Sequence, residues 1–201
     1  MAGVRHEILR AAEAIFTRHD FHEVLMENVA QECGVGKGTL YRYFPSKRDL
    51  YLAVMFEGIG ALRDDLQVAL KAPGEPDEKI KYIVRCILSH FWDRRFFFAL
   101  IHRNEDKPQD PDGREWLRRR AEIVDIVQRT LEEAIAAGHM RRFNPRIAAE
   151  MLLGMVRGVN RYHGRSDTLE DVVDAVVDVF WCGVAVESCR MQERNGRKRR
   201  R

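Results

Sequence analysis

No apolar run in these 201 residues approaches the roughly 20 that a membrane-spanning helix needs, even in the valine-rich segment around Val176. The N-terminal MAGVRHEILRAAEAIF carries acids and helical periodicity where a signal peptide would show a cleavable apolar block, so a cytoplasmic location and no membrane partner are expected. Cysteine is scarce. Cys33, Cys86, Cys182 and Cys189 lie far apart inside apolar or helical segments, which argues against a disulfide framework and suits small buried thiols. Serines are few, no G-x-S-x-G occurs and the acids are scattered, so nothing supports catalysis and no enzyme is expected. Cys86 and His90 stand four residues apart, but without a compact ligand cluster, even counting His102, no metal and no cofactor are expected. A decisive charge of one sign is missing too. The formal net charge is +3, and the tail RNGRKRRR supplies more than that excess, so a case for nucleic acid must rest on where the bases sit.

What is present is helix almost throughout. Apolar residues recur at three and four, and no stretch alternates over strand length. Ile8, Ala12, Ile15 and Phe16 make one stripe of a first helix; a second covers about Met26 to Cys33, turning Val29, Ala30 and Cys33 inward; a third covers about Lys37 to Tyr43. Pro45-Ser46 breaks the pattern, with Ser46 placed to cap a long helix from about Lys47 to Leu70 that stops at Ala72-Pro73-Gly74. Further helices are expected over Asp77 to Phe91, about Arg95 to Ile101, and Asp112 to Ala137, the last two separated by the loop NEDKPQDPDG. Gly138 suits a helix C′ position, and Asn144-Pro145 opens a helix reaching about His163. A last helix runs from Thr168 to near Arg190. There is no internal repeat, and the arginine tail is expected to be disordered, its charge adding salt-sensitive affinity for nucleic acid.

The stretch CGVGKGTLYRYFPSK admits two chemistries. A phosphate-binding loop needs G-x-x-x-x-G-K-[ST] between a strand and a helix. With Gly36-Lys37 as the GK pair, Gln31 falls where the leading glycine should be and Gly38 where Ser or Thr should follow, and the preceding NVAQEC is helical. That reading fails. On a wheel of about 100° per residue, Leu40 and Phe44 share one side and must face a core, while Gly38, Thr39 and Arg42 face away, flanked by Tyr41 and Tyr43. Such a helix suits a major groove, with short or basic groups at base edges and hydroxyls at phosphates. Gly38 allows close backbone approach, Gly34 supplies the turn, Lys37 opens the helix, and Lys47 and Arg48 open the next one beside a phosphate. Periodicity alone leaves a merely solvated face open, because helix–turn–helix units also occur as plain structure.

Arg5 to Met55 resembles the N-terminal domain of the TetR family of one-component transcriptional regulators, through ILRAAEAIF, Asp20-Phe21, VAQECGVGKGTLYRYF, and SK followed by DLYLAV. The resemblance covers about a quarter of the chain, and its GTLYRYF…SK run is highly specific. It implies an all-α fold of about nine helices: a helix–turn–helix DNA-binding domain over 1–46, a helical ligand-binding and dimerisation domain over 47–191, and the basic tail over 192–201. It places Lys37, Gly38, Thr39, Tyr41, Tyr43 and Lys47 at family DNA-contact positions and Arg42 at a variable groove-facing one. Three departures stand out. Asp20 replaces a usual glycine, where a left-handed backbone is expected; Val24-Leu25 replace a capping Ser or Thr; and Gly36 replaces a common Ser.

In the last helix Val173, Val177, Phe180 and Val184 make one stripe and Val172, Val176, Val179 and Gly183 another, an arc broader than one neighbour covers. The helix before it adds Met151, Leu152, Met155 and Val159, with Gly154 and Gly158 thinning one side. A homodimer through a four-helix interface is expected, presenting two reading helices to a pseudo-palindromic double-stranded operator; the alternative is a last helix buried on all sides within one monomer. In the family the middle helices line an inducer pocket. Phe56, His90, Trp92, Phe97, His102 and Trp116 are its candidates here, for a small apolar or aromatic effector. The expected function is a ligand-responsive repressor; the alternative is an architectural or division-control DNA-binding protein on the same fold without an inducer.

Overall fold

The computed structural model describes residues 2–71, 73–92, 110–162, 164 and 166–184. Eight α-helices and no strand occur among them: α1 (Ala2–Arg18), α2 (Met26–Glu32), α3 (Lys37–Tyr43), α4 (Lys47–Ala69), α5 (Pro76–Phe91), α6 (Pro111–Ala136), α7 (Pro145–Tyr162) and α8 (Leu169–Val184). The helix expected over 95–101, the continuation of the last helix past Val184, and the basic tail lie outside the described residues.

The breaks fall where local chemistry puts them. Gly34 and Gly138 take φ of +67° and +78°, a region that costs a side-chain-bearing residue strain. Ser46 Oγ accepts from the Asp49 N–H at 3.2 Å and donates to Asp49 Oδ2 at 2.8 Å, closing the start of α4. Thr168 repeats this with Asp171 ahead of α8, and Asn144 Oδ1 accepts from the Ile147 N–H at 3.2 Å in the first turn of α7. The turn after α1 corrects one expectation. No residue other than glycine has positive φ among the described residues, so Asp20 does not adopt the left-handed backbone. Its N–H instead donates to the Glu23 carboxylate at 3.3 Å, and its carbonyl accepts from the Glu23 N–H at 2.9 Å. A hydrogen-bonded turn in ordinary backbone does the work expected of a glycine.

The chain divides into two compact units, one built from the residues up to Ala61 with the segment that ends at Trp116, the other from the remainder. In the first, Ile8, Leu9 and Ala12 of α1, Val29 and Ala30 of α2, Leu40 of α3, and Leu50 and Val54 of α4 form one buried cluster. Each Leu or Ile fully buried there contributes roughly 1.5–3 kcal/mol. In the second unit α5 turns Ile80, Ile83, Val84, Ile87, Leu88 and Phe91 inward, a spacing of three and four that gives one continuous apolar face. α8 packs on that face, and α7 packs against both. Rim ion pairs fix the register: Lys81 to Asp174 at 2.5 Å and Arg85 to Glu170 at 2.6 Å between α5 and α8, Arg146 to Asp125 at 2.6 Å between α7 and α6. Arg120 of α6 hydrogen-bonds Glu150 of α7 and holds that carboxyl below its ordinary range. Exposed pairs of this kind contribute about 0–1 kcal/mol each, so burial carries the fold.

Candidate nucleic-acid interface

α2 and α3 are joined by three residues and a single left-handed glycine. The Gly34 N–H donates to Gln31 O at 3.2 Å and the Val35 N–H to Ala30 O at 3.0 Å, so the backbone reverses while satisfying the last carbonyls of α2. Gly36 precedes α3 in extended backbone, without a side-chain cap. Along α3, Leu40 is fully buried and Phe44, just beyond it, is 4 % exposed. Lys37, Gly38, Tyr41 and Arg42 are exposed, and Thr39 and Tyr43 are half-buried. The helix is therefore anchored by one face and bare on the other. A methyl group added at Gly38 would meet nothing within 4 Å, so no neighbour inside the chain requires a glycine there.

The cations expected at phosphates already have acceptors within the chain. Lys37 Nζ lies 2.5 Å from Glu27 Oε1; their hydrogen bond lowers the Glu27 carboxyl and raises the Lys37 ammonium. Lys47 Nζ donates to the carbonyls of Val24 at 2.8 Å and His22 at 3.2 Å, and sits 4.7 Å from the centre of the Phe21 ring. Arg48 pairs with Asp112 at 2.6 Å, and the Arg42 guanidinium lies over the Tyr43 ring at 5.6 Å. Glu27 and Asp112 are the residues that sequence reasoning missed; the only signal was an acid in the first turn of α2 and another in that of α6. The start of α2 is uncapped. Leu25, its N-cap, makes no side-chain cap bond and is itself 55 % exposed, while Val24 and Met26 on either side are buried in the core.

The model of the tetR family of bacterial regulatory proteins matches residues 8–54, and that of the tetracyclin repressor-like C-terminal domain matches residues 73–184. The chain belongs to the TetR family. Among relatives, it is 28% identical over 101 residues to the HTH-type transcriptional activator FasR of Mycolicibacterium smegmatis, a match spanning 50% of this chain and 46% of that one. Among solved structures, the transcriptional regulator FadR from Bacillus subtilis in complex with stearoyl-CoA superposes with a TM-score of 0.67 at 18% identity, covering 89% of this chain and 98% of the other. A chain from Saccharomonospora viridis solved in complex with choline gives 0.75 at 16% identity, covering 93% and 100%. At these identities the structural likeness shows the fold. Together the matches make this a TetR-family transcriptional regulator with a DNA-binding helix–turn–helix, and among its described residues no helix is long and apolar enough to cross a membrane.

The other TetR-family sites distribute unevenly. Of the pocket candidates, Phe56 and Trp116 are buried in the first unit, and His90 and Trp92 are half-buried in the second; Phe97 and His102 lie outside the described residues. Of the candidate dimer residues, Leu152, Val173, Val176, Val177 and Phe180 are already buried within the chain. Met155 and Gly158 are half-buried, Met151 is 63 % exposed, and the Val184 side chain lies outside the described residues. What α7 and α8 leave uncovered is narrower: Ile147, Met151, Gly154 and Tyr162 along one, Ala175, Val179, Cys182 and Gly183 along the other. Among the described residues no three His, Cys, Asp or Glu side chains converge to hold a metal ion.

Proposed function

We propose that the chain is a ligand-responsive repressor that acts as a homodimer on a pseudo-palindromic operator, in the cytoplasm, with α3 in the major groove. One observation carries the reading: α3 is fixed from behind by Leu40 and Phe44 and leaves Gly38 and Arg42 exposed, with Thr39 half-buried between them, on the far side. Thr39 and Arg42 face base edges, while the hydroxyls of Tyr41 and Tyr43, with Lys47 and, once it exchanges Asp112 for a phosphate, Arg48 at the start of α4, grip the flanking backbone. The apolar stripes left bare on α7 and α8 support self-association, since patches of that kind are seldom left to solvent. The effector is a small apolar or aromatic molecule. It shifts the population toward the dimer geometry it binds better, and DNA affinity falls by that differential. That proteins of this fold were solved holding stearoyl-CoA or choline supports an effector in general.

Enrichment of a random duplex library by the purified protein tests the reading. The expected product is an inverted repeat with half-sites about one or two helical turns apart; recovery of no sequence preference overturns it. A second expectation separates DNA approach from folding. Gly38→Ala should raise stability by about 0.5–1 kcal/mol, because a helical glycine costs that much and the methyl has room. The same methyl should weaken binding to the enriched duplex about tenfold by holding the backbone off the groove. Denaturant titration and a binding isotherm read the two opposite signs.

A further inference from the structure

Glu27 is an acid placed where phosphates would repel it. It lies in the first turn of α2, and its carboxylate meets the ammonium of Lys37, the first residue of α3. Both side chains are about half exposed, at 51 % and 60 %, so the pair is a surface feature that the fold does not require. A lysine meant for phosphate gains nothing from such a partner, because neutralising it forfeits the counterion release that drives backbone binding.

An ammonium beside a carboxylate does match one base-pair edge. In the major groove a G·C pair presents two adjacent acceptors, guanine N7 and O6, followed by the cytosine N4 donor. Lys37 has three N–H donors; one is spent on Glu27 and two remain for O6 and N7, while the carboxylate keeps lone pairs for N4–H. An A·T pair offers the ammonium a single acceptor before the N6 donor intervenes, and sets thymine O4 against the carboxylate. Position supports the match, since the N-terminal residues of a recognition helix are those that reach base edges. Gly36 and Gly38 on either side of Lys37 have no side chains to crowd it.

We infer that Glu27 and Lys37 act as one unit that reads a G·C base pair in each half-site, which makes Glu27 a specificity-determining residue. This rests on the reading of α3 as the base-reading helix. The test enriches one random duplex library separately with the wild-type protein, Glu27→Gln and Lys37→Gln. It also measures the salt dependence of wild type and Glu27→Gln on a scrambled duplex of the same composition. The wild-type motif should contain one G·C pair per half-site whose preference over A·T falls about tenfold in both variants, within the range for a lost base contact. Glu27→Gln should also steepen the log–log salt slope on scrambled duplex by about one, as Lys37 is released to a phosphate. A Glu27→Gln motif identical to wild type at every position overturns the inference and leaves the function standing. A wild-type protein that enriches nothing overturns the function itself.

Discussion

A chain carrying Met151→Glu and Val179→Glu is expected to sediment as a folded monomer at micromolar concentration and to bind its operator about 10²- to 10⁴-fold more weakly than wild type. Both side chains are largely exposed within one chain, at 63 % and 66 %, so the substitutions remove little internal contact, and the melting temperature should fall only by the stabilisation that self-association supplied. Their surroundings give the prediction its size. α7 buries Ala148, Ala149, Leu152 and Val156 and shows Ile147, Met151 and Tyr162 on the opposite side; α8 buries Val173, Val176, Val177 and Phe180 and shows Val179. A two-fold contact through these bare stripes sets each patch against its own copy, so two substitutions bring four carboxylates into an apolar seam. Uncompensated charges there cost several kcal/mol each, more than a dimer interface can absorb. A monomer engages one half-site, and the gain from tethering two is lost. Sedimentation equilibrium beside a binding isotherm reads both effects; a variant that remains dimeric places the interface elsewhere.

Much of this was legible in the sequence because it depends on local chemistry. Gly34, Ser46, Gly138, Asn144 and Thr168 each mark a helix boundary by a property of one residue, and α3 runs from Lys37 to Tyr43 as its periodicity predicts. α8 shows where that logic stops. Val172, Val173, Val176, Val177, Val179 and Phe180 are apolar almost all round, so periodicity cannot tell which side the chain covers itself. α5 decides it from some ninety residues away, and the uncovered strip is narrower than the sequence pattern. The cations behave likewise. Lys37, Lys47 and Arg48 read as bare phosphate ligands, yet their partners are Glu27, the carbonyls before α2, and Asp112, contacts that only the tertiary fold brings about. Asp20 failed in the opposite direction, since a short-range hydrogen bond to Glu23 removed the need for the special backbone its position suggested.

The double variant Thr39→Ala, Arg42→Ala decides whether the outward face of α3 reads base sequence. Neither side chain belongs to the buried cluster of the first unit, so the helix should keep its place on Leu40 and Phe44. Each base contact removed should cost about 1–3 kcal/mol of discrimination, and together they should lower the preference for the operator about 10²- to 10⁴-fold. Affinity for unrelated duplex should change far less: one arginine charge is lost while Tyr41, Tyr43, Lys47 and Arg48 remain. The deciding quantity is the ratio of dissociation constants on scrambled and enriched duplex, at one fixed salt concentration, for wild type and the double variant. That ratio should collapse toward one in the double variant, with the melting temperature unchanged. A double variant that retains the wild-type ratio would contradict base reading by α3.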